Sequence, residues 1–268
     1  MKKILDNIVL TKRMEVEIRK SLCHPNELEQ TEFFYRQPLS LSASLLDPQK
    51  TSIIAEFKRR SPSKGIINDK VSVMDVTGDY SMNGASGISV LTDHDYFGGS
   101  DDDLKAVAAK RSTPLLRKDF TIDPYQVLEA RAIGADAILL IAAILDKKQI
   151  RDLSKLAFSL GLEVLLELHA EEELDKVDPD IQLIGINNRN LQSFEVSLEH
   201  SIRLADKLPE GVVKIAESGI HSPETLIELG KNGFDGFLIG EYFMRTENPG
   251  KTFSAFCSDV KALKQKKA

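Results

Sequence analysis

Short apolar runs recur along the chain, each followed by a turn and then a helical pattern. The runs are SIIAEF (52–57), GISVLT (87–92), TPLLRK (113–118), DAILLI (136–141), LEVLLEL (162–168), IQLIGIN (181–187), VVKIAE (212–217) and DGFLIG (235–240). Such near-continuous Val/Ile/Leu stretches suit parallel strands buried on both faces. The segments between them carry helix signals. Ser100 precedes DDDLKAVAAK, with three aspartates favouring the helix N-terminus. Asp123 and Pro124 open PYQVLEARAIG, and Gly134 stops it. Asp146 opens KKQIRDLSKLAFSLG, ended by Gly161, and Ser222-Pro223 opens ETLIELGKNG. Strict alternation of strand and helix predicts a parallel sheet, and eight units predict closure into a (β/α)8 TIM barrel. The competing architecture is an open doubly wound sheet. That fold calls for an early glycine-rich dinucleotide turn, and none follows the first strand.

The first strand begins only near residue 52. The expectation is a single barrel domain over 1–268, with 1–50 as a helical N-terminal extension. Ile4, Leu5, Ile8, Val9, Met14 and Ile18 predict an amphipathic helix, and a second helical stretch is expected near 25–36. Periodicity alone leaves two places for this extension: a plug on the barrel bottom or a cap over its mouth.

Composition narrows the class without changing the fold. A chain of 268 residues, 42% hydrophobic and 28% charged, is ordinary globular material of barrel size. No window nears the ~18 apolar residues of a membrane span, and charges interrupt the apolar stretch a signal peptide needs. Cys23 and Cys257 make no metal spacing or disulfide framework, which fits a reducing cytoplasm. The net charge of −6 weighs against nucleic-acid binding. An acidic chain that binds an anion must gather positive charge locally.

In such barrels the active site lies at the C-terminal ends of the strands. Here those ends carry Glu56 and Lys58, Lys118, Glu167, Asn187 and Arg189, and Glu217-Ser218-Gly219. Alternation puts Glu56 and Lys58 on one face, and Gly185, Asn187 and Arg189 on another. Directed inward, these residues form a mouth of two lysines, three glutamates, an asparagine and an arginine. Each charge alone is also accounted for as a solvated strand end or half of an ion pair. A ring of them is better explained by an ionic ligand, because charge is costly to bury unpaired. Lys58, Lys118, Arg189 and Lys64 supply the local positive charge. Gly219 after strand 7, and Gly240 and Glu241 after strand 8, mark the loops where barrels commonly seat a phosphate. The five histidines are scattered and read as surface or loop residues, and no His/Asp/Glu spacing points to a metal.

The ordered set IIAEFKRRSPSKG (53–65), SVLTDHDYFGGS (89–100), LLRKDF (115–120), LLELH (165–169), GINNRNL (185–191), AESGI (216–220) and FLIGEYFMR (237–245) resembles indole-3-glycerol-phosphate synthase. The resemblance spans most of residues 50–245. It implies an enzyme of tryptophan biosynthesis that uses no cofactor and no metal. The implied substrate is 1-(2-carboxyphenylamino)-1-deoxyribulose 5-phosphate, closed to indole-3-glycerol phosphate with loss of carbon dioxide and water. Lys118 resembles the family's acid at the ketone. A neighbouring Lys58 is expected to lower its pKa. Glu167 resembles the acid–base group of dehydration, with Lys58 taking part. Glu56 and Asn187 resemble residues that orient lysines and substrate hydroxyls, and Ser218 a binding position after strand 7.

The phosphate is expected on the backbone at Gly219, Gly240 and Glu241. The benzoate carboxylate is expected at Arg189, Ser61 or Lys58. Pro62, Phe97, Phe120, Leu139 and Leu191 are candidates for an apolar wall against the ring, and equally for plain core. One departure stands out: where some family members have serine after the strand-8 glycine, this chain has Glu241. Its carboxylate would repel a phosphate unless the side chain points away. The loop RRSPSKG, with its Gly, Ser and charge, is a candidate lid.

Two other classes compete. Lys118 ending a barrel strand could form a Schiff base with a ketose phosphate, as in aldolase-like barrels. A non-catalytic phosphate-sugar sensor would keep the glycines but has little need for Glu56, Lys58, Lys118 and Glu167 together. Whether the chain works alone or beside other enzymes of tryptophan synthesis is left open by the sequence.

Overall fold

A computed structural model of the chain describes residues 2–189 and 196–266. The eight apolar runs form eight parallel strands: β1 (Ile53–Phe57), β2 (Gly87–Leu91), β3 (Leu115–Lys118), β4 (Ala137–Ile141), β5 (Glu163–Leu168), β6 (Leu183–Asn187), β7 (Val213–Glu217) and β8 (Gly236–Ile239). Each pairs with the next, and β8 closes on β1 with Phe237 opposite Ile53 and Ile239 opposite Ala55. The barrel is therefore complete, and the open-sheet alternative is excluded.

Side-chain parity divides each strand between two environments. Ile54, Leu116, Leu139, Leu165, Leu183, Ile215 and Leu238 fill the barrel interior. Their neighbours, such as Ile53, Phe57, Leu115, Ile138 and Ile184, pack outward beneath the helices. Moving along the inward face toward the C-terminal end, the apolar layers give way to Glu56, Lys118, Glu167, Asn187 and Glu217. Apolar residues thus close the bottom and middle of the barrel, while its top layer is polar.

The helix starts follow the cap residues. Ser100 accepts from Asp102 N at 3.1 Å, Asp123 from Tyr125 N at 2.9 Å, Asp146 from Gln149 N at 2.8 Å and Ser222 from Thr225 N at 3.2 Å. Gly134, Gly161 and Gly233 stand in the left-handed region where these helices turn back into strands.

The N-terminal extension does both jobs that its pattern left open, with different segments. The helix Lys2–Leu22 lays Ile4, Leu5 and Ile8 over the mouth. The short helix Leu41–Leu46 plugs the bottom, with Leu41 against Gly87 and Leu45 against Gly236 at the starts of their strands. Two expectations are corrected. Met14 and Ile18 are 63% and 59% exposed; the inner face runs instead through Ile8, Lys12 and Val16. In 25–36 only Pro25–Leu28 is helical, capped by His24.

Lys12 explains why a polar residue interrupts that face. Its Nζ lies 2.9 Å from Asp119 Oδ1, 3.1 Å from Asp93 Oδ2 and 2.7 Å from Glu15 Oε2. These carboxylates raise the lysine's proton affinity against the opposing effect of burial. Asp119 follows β3 directly, so the cap helix is anchored one residue from Lys118.

Candidate active site

The polar top layer converges on one cavity of about 220 Å³. At its centre, Lys118 Nζ donates to Glu167 Oε2 at 2.9 Å and to Glu217 Oε2 at 2.8 Å. The lysine rises from β3, and the two glutamates come from β5 and β7. Burial alone would favour a neutral amine. The carboxylates of Glu167, Glu217 and Glu56 outweigh it, and the Lys118 pKa is raised. This reverses the expectation from a neighbouring lysine, because Lys58 is engaged elsewhere: its Nζ donates to Glu56 Oε1 at 2.6 Å.

The two glutamates that share Lys118 are driven apart. Burial disfavours ionised Glu167, but Lys118 and His169 override it and hold its pKa well below the usual carboxylate range. Glu217 is pushed up to about 7, first by burial and then by the charge of Glu167 and Glu56, with Lys118 opposing. Two carboxylates on one ammonium that separate in this way resemble an acid–base pair. Asn187 Nδ2 donates to Glu167 Oε1 at 3.0 Å, so both oxygens of that glutamate are held.

Glycines make room for this arrangement. A Cβ on Gly185 of β6 would fall on Glu217 Oε1, and a Cβ on Gly240 would fall on the Glu56 side chain. The backbone after β7 turns sharply: Ser218 has φ +67° and Gly219 φ +72°. A left-handed serine is costly, and such strain clusters at functional positions. Asn188 Nδ2 steadies it by donating to Ser218 O at 2.7 Å.

Around this centre the structure brings together nearly every residue singled out in the sequence. Ser61, Pro62, Phe97, Phe120, Leu139, Arg189, Ser218, Gly219, Gly240 and Glu241 line the same cavity as Glu56, Lys58, Lys118, Glu167 and Asn187. Leu191 lies outside the described residues. Phe97 and Phe120 face each other with ring centroids 5.9 Å apart and, with Leu139 and Ile8, make one wall apolar. Ser61 sits in a two-stranded ribbon, Arg60–Ser61 paired with Gly65–Ile66, so the loop after β1 has its own hydrogen bonding. Glu241 is turned toward arginine: its Oε2 accepts from Arg189 Nη2 at 3.4 Å, with Lys64 Nζ 4.0 Å from Oε1.

One contact and one participant escape the sequence reading. Glu217 is visible as a strand end, but its contact with Lys118 depends on the room above Gly185. His169, read as a loop residue, lines the cavity beside Glu167. The spacing Glu167-Leu168-His169 was the available signal, since residues two apart share a strand face. His221 also lines the cavity. Among the described residues, no group of three or more His, Cys, Asp or Glu is arranged to hold a metal ion. None of their helices is long and apolar enough to cross a membrane.

Comparison with known proteins bears on this geometry. The profile of the indole-3-glycerol phosphate synthase family matches residues 5–256. The indole-3-glycerol phosphate synthase of Salinibacter ruber is 45% identical over 268 residues, covering 99% of both chains. That of Bacteroides thetaiotaomicron is 45% identical over 261 residues, covering 97% of this chain and all of its own. Among solved structures, the tryptophan synthase alpha subunit of Legionella pneumophila superposes with a TM-score of 0.58 at 13% identity, over 83% of this chain and 97% of its own. At that identity the likeness speaks for the barrel alone.

Proposed function

The chain belongs to the indole-3-glycerol phosphate synthase family, carboxy-lyases of tryptophan biosynthesis, and from that premise we propose how its residues divide the ring closure. The substrate has two anionic ends, a phosphate and a benzoate carboxylate, joined through a ketone. Lys118 meets the ketone oxygen. As an ammonium it stabilises the charge developing there and delivers a proton. The ring carbon that bears the carboxylate then attacks the ketone carbon. A carbon–carbon bond forms; carbon dioxide leaves and returns its electron pair to the ring. Glu167 and Lys58 serve the second half: one proton is supplied to the departing hydroxyl, which leaves as water, and one is taken from the adjacent carbon as the pyrrole becomes aromatic.

The observation that carries this reading is the bridge from Lys118 to Glu167 and Glu217 at 2.9 and 2.8 Å. It keeps the lysine charged. A charged lysine suits an acid and disfavours a Schiff-base nucleophile, which must be a free amine. Glu217 holds Lys118 between the strands, Asn187 holds Glu167, and Glu56 holds Lys58.

The phosphate is assigned to the backbone at Gly219 and Gly240, with Lys64 nearby. The Glu241 side chain bends to Arg189, which removes the repulsion its carboxylate would bring. The benzoate carboxylate is set against Lys58, Ser61 and Arg189, and its ring against Phe97, Phe120, Leu139 and Pro62. The apolar wall favours loss of the charged carboxylate as neutral carbon dioxide. The site of action is taken to be the cytoplasm.

Cyanoborohydride, which reduces an iminium ion but spares a ketone near neutral pH, is added during turnover to test the role of Lys118. The acid reading predicts no covalent adduct by intact mass and unchanged activity afterwards. A reduced adduct on Lys118 would transfer the assignment to Schiff-base chemistry.

A further inference from the structure

His169 lies two residues beyond Glu167 on the same side of the chain, just past the end of β5, and its side chain is 8% exposed. Its Nε2 stands 2.9 Å from Glu167 Oε1, the oxygen that also accepts from Asn187. The ring is turned off the line of an ideal hydrogen bond, and neither ring nitrogen has an aligned hydrogen-bond partner among the described residues, so the 2.9 Å approach to Glu167 is an ionic contact. The backbone is fixed from outside. His169 N donates to Glu173 Oε2 at 2.7 Å, and His200 Nε2 lies 3.1 Å from His169 O. A rigid backbone thus delivers a buried imidazole whose close ionic neighbour is a single carboxylate.

We propose that His169 is a positioning residue for Glu167, holding Oε1 so that Oε2 stays on Lys118. The proposal rests on reading Glu167 as an acid–base group. A carboxylate anchored only at Oε2 can swing about its Cγ–Cδ bond. With Asn187 approaching Oε1 from β6 and His169 approaching it from the end of β5, that rotation is blocked. The carboxylates of Glu167, Glu173 and Glu217 raise the proton affinity of the imidazole against its burial, which strengthens it as a donor to Glu167. The contacts of His169 are with Glu167, Glu173 and His200, none of them in the loops assigned to the phosphate, so its removal should disturb chemistry rather than binding.

The test compares His169→Leu, which removes the donor, with His169→Gln, whose amide reaches the Nε2 position. The expected result is a fall in kcat of roughly 10- to 50-fold for the leucine variant, with KM within about 3-fold of wild type. The glutamine variant should recover kcat to within about 5-fold. If the leucine variant does not fold, His169→Asn, whose amide is too short to reach Oε1, takes its place. Wild-type kcat in the variant lacking the donor would overturn the proposal. So would a rise in KM matching the fall in kcat, or a glutamine variant no better than leucine. Glu167→Gln run in parallel separates the two readings. Full activity there would sink the role of Glu167 itself. An inactive Glu167→Gln beside a fully active His169→Leu would sink only the role of His169.

Discussion

Lys118 Nζ reaches across the barrel mouth from β3 to donate to Glu217 Oε2 on β7 at 2.8 Å. Between those strands lies Gly185 of β6, whose missing side chain leaves the space that Glu217 Oε1 occupies. The Lys118 ammonium is therefore positioned through a glycine that is not among its hydrogen-bond partners.

Gly185→Ala should expose that dependence. The added methyl cannot coexist with Glu217 in its present rotamer, so the carboxylate must move and Lys118 loses one of its two anchors. The barrel should still fold, because the displaced group is the end of a flexible side chain. Kcat should drop by about 100-fold, the cost of misplacing a reacting group by roughly 1 Å. Steady-state kinetics, with circular dichroism as a check on folding, measures both.

Glu217 also gives stability a pH dependence of predictable sign. Its folded pKa of about 7 lies above the ordinary 4.5. Between those values the folded protein keeps a proton that the unfolded chain has released. The contribution is full below pH 4.5 and is lost as pH rises through about 7. Glu217→Gln removes that slope. Urea unfolding at pH 5 and pH 8 should show the variant gaining on wild type as pH rises, by up to about 3 kcal/mol. Parallel curves at both pH values would contradict the assignment.

Lys12→Met tests the anchor of the cap helix. The substitution keeps most of the apolar stem and removes the charge that Asp93 and Asp119 share. Leaving buried carboxylates without their partner costs about 3 kcal/mol or more. Asp119 sits next to Lys118, and Ile4, Leu5 and Ile8 roof the cavity, so KM should rise along with the loss of stability. Chemical unfolding and KM for the substrate read the two effects separately.

Gly240→Ala probes the opposite side of the mouth. A methyl there meets the Cβ and carboxylate of Glu56, which holds Lys58 at 2.6 Å. Because Glu56 Cβ is fixed by the strand, β8 or β1 must shift. Both phosphate affinity and kcat should suffer, and inorganic phosphate should become a weaker competitive inhibitor than it is of the wild type.

Much of this was legible in the sequence, and the limits have physical causes. The barrel could be read because each strand is an apolar run bounded by a cap or a glycine. The polar ring could be read because the period of two places Glu56, Lys118 and Glu167 two residues beyond inward Ile54, Leu116 and Leu165. Partners across the barrel could not. Whether Lys118 meets Lys58 or Glu217 depends on strand stagger and on the vacancy at Gly185, which no local pattern encodes. The lysine's proton affinity was accordingly expected to fall and is instead raised. In the N-terminal helix, periodicity placed Met14 and Ile18 on the buried face because Lys12 breaks the apolar pattern, and nothing local reveals that its partners are Asp93 and Asp119. His169 passed for a loop residue because it lies one position past the end of β5.

The most direct measurement uses the absence of tryptophan from the chain. Adding 1-(2-carboxyphenylamino)-1-deoxyribulose 5-phosphate to the wild type should produce indole fluorescence that no tryptophan of the protein obscures, while the longer-wavelength emission of the substrate's aminobenzoate falls. Lys118→Ala and Glu167→Ala should each lower the rate by ~100-fold or more. Ring closure at wild-type rates in either variant would contradict the central claim that these two side chains carry the proton transfers.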